Sequence, residues 1–156
     1  MKKIVTALLF GIGISMTHFS FAQDLVVYLK NGVIQKHDLG DKGHSVSDLV
    51  TRTGDLYFEL NGPAVGKYYT RAKVTHIFST DNFDMREYIQ AINLPEGEIL
   101  TMNYTKVELG QIAVKGHSHR GIILGGTGIY SGIRGSYDIA IAENEQVWKA
   151  VFHIQK

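Results

Sequence analysis

The sequence predicts an all-β antiparallel fold, a sandwich or a barrel, with one short helix. Three observations carry this. Short segments with apolar residues at alternate positions recur along the chain, which is the spacing of half-buried strands. Glycine-containing turns separate them at regular intervals. The densest glycine cluster, residues 125–135 (GGTGIYSGIRG), runs into another alternating segment.

Taken in order, residues 24–30 (DLVVYLK) are rich in β-branched and aromatic residues, and Asn31-Gly32 supplies a turn before a short strand at Val33 and Ile34. Residues 35–48 are polar and read as a long loop. Leu56, Phe58 and Leu60 share a parity in the strand over 49–60, which Asn61-Gly62-Pro63 breaks. Residues 66–80 form a longer strand, with Tyr68, Ala72, Val74 and Phe78 on one face and Lys67, Arg71 and Lys73 on the other. Met85, Tyr88, Ile89 and Ile92 fall at i, i+3, i+4 and i+7, which predicts a helix around 84–93, capped by Asp81 or Asn82 and ended by Pro95. It would cover a barrel mouth, make a subunit contact or be a decorative insertion. Residues 98–109 return to strand spacing, with Leu100, Met102 and Tyr104 against Thr101, Asn103 and Thr105. Gly110-Gln111 turns into a strand over 112–115. The segment 122–124 leads into the glycine cluster, 136–142 alternates, and 146–154 closes the chain with Trp148, Ala150, Phe152 and Ile154 on one face.

Residues 1–22 have the form of a cleaved export signal. Lys2 and Lys3 precede an apolar run over 4–16, and Ser20-Phe21-Ala22 is a small-x-small site before Gln23. The run is short for a bilayer span, and no cysteine follows for lipid attachment. The protein is therefore expected to be exported, periplasmic or secreted, as a single domain over 23–156 with no integral membrane segment after cleavage. Cleavage removes two of the 16 basic residues and none of the 15 acidic ones, leaving a net charge of −1. No field of that size favours nucleic acid. The absence of cysteine excludes disulfides, thiol catalysis and cysteine metal sites.

The glycine cluster does not fit a phosphate-binding motif. A phosphate loop needs a lysine and a following helix, and 125–135 has neither. A dinucleotide fingerprint needs a third glycine where Ser131 stands. Its pattern, GGTG-x-Tyr-x-Gly-x-x-Gly after an Ile-rich lead, resembles instead the allene oxide cyclase and dirigent protein superfamily. Residues 103–116 (NYTKVELGQIAVKG) resemble that family's threonine-rich hairpin, residues 62–75 its glycine-to-arginine strand, and residues 41–49 its N-terminal loop. The resemblance implies an eight-stranded antiparallel closed barrel, lipocalin-like in outline, with a ligand cavity. Gly125, Gly126, Gly128, Gly132 and Gly135 would let its late strands bulge and curl. It also implies cyclisation of a fatty-acid epoxide or stereocontrol of phenoxy-radical coupling, and homo-oligomers formed through the outer wall. The chain departs from the plant members. The first strand has no glutamate, the cyclase cysteine has no counterpart, and Ile129 stands where many dirigent proteins carry an acid. Arg134 does match their arginine-glycine ending.

Among residues with usable chemistry, Arg134 beside the expected bend suits a carboxylate or epoxide oxygen. Asp138 on the closing strand suits acid catalysis if buried. Tyr68, Arg71, Tyr104, Tyr130 and Tyr137 are the candidate ligand-binding set, since tyrosine joins apolar area to one orienting hydroxyl. His117 and His119 share a face in an extended strand, but two imidazoles without a third ligand read as exposed turn residues. No metal and no cofactor is expected. The expected partner is a small hydrophobic molecule of fatty-acid, terpenoid or phenolic type. Cyclisation, isomerisation or dirigent-type restraint of such a substrate is the alternative, and an interaction barrel a third. An interior packed solid would exclude binding. A barrel with every Asp, Glu and Arg facing solvent would exclude catalysis.

Overall fold

A computed structural model describes residues 22–108, 118–142 and 147–156. The described residues form eight strands: β1 (Ala22–His37), β2 (Leu49–Tyr57), β3 (Gly66–Phe78), β4 (Phe83–Leu94), β5 (Gly97–Glu108), β6 (Ser118–Gly126), β7 (Arg134–Ile141) and β8 (Trp148–Gln155). Neighbours pair antiparallel in chain order, and β1 pairs with β8, so the sheet closes into a barrel without edges. Among the described residues no helix is long and apolar enough to cross a membrane.

Two expected elements take a different form. Asn31-Gly32 is not a hairpin turn. Lys30 pairs with Asp55 and Val33 with Thr53, so the two residues oppose Gly54 alone and form a bulge inside one long β1. The segment 84–93 is not a helix but β4, paired along its length with β3 and β5. Its even positions face inward, and at one end these are Asp84, Arg86, Tyr88 and Gln90. Polar inward residues erase the apolar alternation of a strand. Outward Met85 and Ile89 with inward Tyr88 and Ile92 then imitate helical spacing. The strand expected at 112–115 and nearly all of the export segment lie outside the described residues.

The core fills one end of the barrel. Val27, Leu56, Ile92, Ile99, Ile123, Tyr137 and Phe152 are buried there, each apolar side chain contributing about 1.5–3 kcal/mol on burial. Tyr137 and Phe152 stack with centroids 5.7 Å apart. The glycine cluster closes this end. Leu124 is extra in the β5–β6 register, a bulge at which Gly125 takes φ +152°. The chain then turns through a short 3-10 helix, Gly128–Tyr130. The Thr127 amide donates to the Glu98 carbonyl and the Ile129 amide to that of Glu96, tying the turn to the β4–β5 connection. Gly128 has φ +59°, and its Cα lies against the Glu96 and Gly97 backbone, where no side chain fits. The turn places Ile133 and Tyr130 against the core.

Candidate functional site

Toward the other end the inward rows become polar. On β5, Thr101, Asn103 and Thr105 are buried while Tyr104 faces out at 55% exposure. Together with β4 this leaves a cavity that the core does not fill. The space open to the centres of water-sized spheres is about 70 Å³. One water needs about 10–15 Å³ on that measure, so the cavity takes several waters or a small organic molecule. Leu29, Ile34, Val50, Ile139 and Trp148 line its apolar side, and Arg52, Arg86, Tyr88, Gln90, Asn103 and His119 its polar side.

The mouth is ordered by an ion pair. Asp84, fully buried, holds Arg86 through two parallel bonds, Nε–Oδ1 at 2.8 Å and Nη2–Oδ2 at 2.7 Å. Burial is the largest influence and lowers the Arg86 pKa, but Asp84 and Tyr88 together outweigh it and the net shift is upward. Burial raises the phenol of Tyr88, and the Arg86 charge opposes this. His44 Nε2 lies 3.0 Å from Asp84 Oδ2, reaching in from the 38–48 loop. That loop is docked. Asp48 accepts bonds from the amides of Ser45 (2.7 Å) and Leu39 (3.2 Å), and the Ser45 amide is the leading cause of its lowered pKa. The Ser47 amide donates to the Val74 carbonyl and the Val74 amide to that of Asp48.

A hydrogen-bonded chain runs from the cavity wall toward the core. Gln90 Nε2 donates to the Tyr137 hydroxyl (3.2 Å), which donates to Asn103 Oδ1 (2.6 Å). Asn103 Nδ2 donates to Thr105 Oγ1 (3.3 Å), whose oxygen lies 2.9 Å from His119 Nδ1. With the Thr105 proton directed at Nδ1, the imidazole carries its own proton on Nε2. Burial pushes the Tyr137 pKa up to about 12, so it stays a donor across physiological pH.

Opposite stands Arg52. Its guanidinium carbon lies 5.7 Å from the centre of the Trp148 ring and 5.8 Å from that of Tyr68. Arg52 Nε and the Tyr68 hydroxyl are both buried without a hydrogen-bond partner among the described residues. Burial raises the Tyr68 pKa. The nearby Arg52 charge draws it back, although the two groups are not in hydrogen-bond geometry.

Of the residues singled out in the sequence, Tyr68 lines the cavity and Tyr137 anchors the polar chain beside it. Tyr130 packs at the closed end. Arg71 and Tyr104 lie outside, where both meet Glu87, at 3.8 Å and 2.7 Å. Arg134 is exposed. Asp138 shares its outward parity, bound by Arg120 (2.9 Å) and His153 (3.1 Å), and the Arg120 bond leads in lowering its pKa. His119 turns inward. Among the described residues no group of three or more His, Cys, Asp or Glu is placed to hold a metal. Arg52, Asp84, Arg86, Tyr88, Gln90, Asn103 and Trp148 complete the site. Their signal in the sequence is parity: they continue the inward positions of strands whose other end is apolar.

No protein-family model matches the chain, and no curated protein matches its sequence. Solved structures do. A pyocyanin demethylase superposes with TM-score 0.67 at 24% identity, covering 85% of this chain and 99% of that one. A Diels-Alderase from Streptomyces koyangensis gives 0.64 at 16%, covering 90% and 70%. A pterocarpan synthase dirigent protein gives 0.60 at 12%, covering 87% and 85%. The chain therefore has the barrel fold of these solved structures, which include a dirigent protein and a Diels-Alderase.

Proposed function

Starting from that shared barrel, we propose that this protein binds one small, largely apolar molecule, of fatty-acid, terpenoid or phenolic type, inside the open half of its barrel. The cavity carries this reading. A barrel interior serving stability alone is filled with apolar side chains, because each buried polar group without a partner costs about 1–3 kcal/mol. Here an apolar wall faces a polar one across unfilled space, which is how ligand sites combine affinity with orientation. The neighbours' names all describe small-molecule chemistry, which supports the same reading. Trp148 is the single tryptophan and lines the cavity, so its fluorescence reports occupancy directly. Titration with fatty-acid, terpenoid and phenolic panels should give saturable changes, and native mass spectrometry should show a copurified small molecule. Neither signal appearing would refute the reading.

A second reading has a specific observation behind it. Arg86 beside Tyr88, and His119 at the end of a hydrogen-bonded chain, put a cation, a phenol and an imidazole inside the barrel. Such groups could place charge and move a proton on a substrate that the barrel holds in one conformation, as a cyclase or isomerase would. Turnover of a bound epoxide or polyene, lost in His119→Ala but not in Arg134→Ala, would establish it. We further propose export, with cleavage after Ala22. This leaves Gln23, paired with Ile154, at the start of the barrel, and N-terminal sequencing of protein from the cell envelope or medium tests it. Self-association through the outer wall is supported by exposed Tyr69, Tyr104, Ile122 and Leu124 and is tested by sedimentation.

A further inference from the structure

We propose that Arg52, with Tyr68, is the anion anchor of the cavity, and that the ligand carries a carboxylate on its otherwise apolar body. This rests on the ligand-binding reading above and narrows it to a chemical class.

The charges around the cavity do not balance among the described residues. Arg86 is neutralised by Asp84. Arg71 and Arg120 face Glu87 and Asp138 on the outer wall, and Arg134 is exposed to solvent. Arg52 is in none of the ion pairs of the described residues, yet its Nε is fully buried. A guanidinium does not discharge at any accessible pH, so the site holds one uncompensated positive charge. A monoanion balances it.

The site is also built. Trp148 and Tyr68 flank the guanidinium with their ring faces, limiting its freedom. Gly32, in the β1 bulge, leaves the room. A Cβ there would sit 2.6 Å from the Tyr68 hydroxyl and closer still to Arg52 Nε. Gly54, facing the bulge, does the same for the Tyr68 ring, which a Cβ would approach to 2.7 Å. Two glycines thus seat two donors, Arg52 Nε and the Tyr68 hydroxyl, that no group among the described residues accepts from. The planar fork of arginine matches a carboxylate, and the Tyr68 phenol, kept protonated by burial, adds a second donor beside it.

The test is calorimetric binding of matched pairs, octanoate with 1-octanol and trans-cinnamate with cinnamyl alcohol, to the wild-type chain at pH 7.5. Each acid should bind at least about ten-fold tighter than its alcohol, the scale of hydrogen bonds to a charged group. Arg52→Gln should erase that preference and leave the alcohols within about two-fold of wild type. Arg52→Lys, which keeps the charge and stem but loses the fork, should retain part of the preference and guards against a folding defect in the glutamine variant. Tyr68→Phe should weaken the acids by a few-fold. Lys149→Gln, a surface charge change of the same size, should alter nothing. If alcohols bind as tightly as acids, or the preference survives Arg52→Gln, the anchor is refuted while the cavity reading stands. If no member of either pair binds, both fail.

Discussion

The two ends of this barrel are built from the same eight strands and the same inward parity, yet they solve different problems. At the closed end the inward residues are Ile92, Ile99, Val27, Leu56 and Phe152, sealed by the 125–135 turn. At the open end β4 and β5 supply Asp84, Arg86, Gln90, Asn103 and Thr105, and β2 supplies Arg52. Apolar burial stabilises without direction. Polar burial at best breaks even, and only if each group finds a partner. The barrel thus gains its stability at one end and holds its buried polar groups at the other.

The largest effects should separate the two ends. Phe152→Ala should destabilise by about 3–5 kcal/mol in chemical denaturation, with ligand affinity kept in the folded fraction. Asp84→Ala should cost about 3–5 kcal/mol for a different reason, because Arg86 is left buried without its counter-charge. The double replacement Asp84→Leu with Arg86→Met should recover most of that loss. A double variant as unstable as the single one would show that the open end contributes stability of its own, which breaks the comparison.

Next in size is the turn that seals the closed end. Gly128→Ala should cost about 1–3 kcal/mol, since alanine at φ +59° is strained and its Cβ meets the Glu96 carbonyl. Tyr137→Phe probes the border between the ends. It keeps the stack on Phe152 but leaves Asn103 Oδ1 and Gln90 Nε2 short of a partner, for an expected loss of about 1–3 kcal/mol by denaturation. A variant as stable as wild type would mean water replaces the hydroxyl, placing Tyr137 inside the wet half.

The same contrast explains what could be read in advance. Where inward residues are apolar, alternation reveals the strand, and Tyr68, Ala72 and Val74 share the inward face that their parity indicated. The glycine pattern pointed to the barrel because backbone needs, a bulge at Gly125 and a positive φ at Gly128, leave their mark in residue identity. The open end was illegible for the complementary reason. Polar residues stand at core positions there, so β4 lost its period and imitated a helix. Arg71, Tyr104, Arg134 and Asp138 had suitable chemistry but outward parity. Arg52 and Arg86 had inward parity, which no residue type announces by itself.

The smallest expected effect lies on the outer wall, and it sharpens the comparison by leaving both ends alone. His153 lies 2.8 Å from Asp24 and 3.1 Å from Asp138, and its pKa is raised chiefly by the Asp24 bond, then by Asp138. A raised histidine stabilises the fold fully below its unfolded value of about 6.5, and that contribution is lost as pH rises through the folded value. Asp138 runs the other way. Its lowered pKa adds stability above about 3.8 that is lost as pH falls through the folded value. The network is solvent-facing, so screening keeps the His153 share below about 1 kcal/mol. Denaturation from pH 5.5 to 8.5 should show a shallow decline in wild type that flattens in His153→Gln. Affinity at the cavity, read by Trp148 fluorescence in the same buffers, should be identical in the two proteins. A cavity affinity that follows the His153 substitution would mean that the outer wall and the open end are coupled through the β7–β8 face.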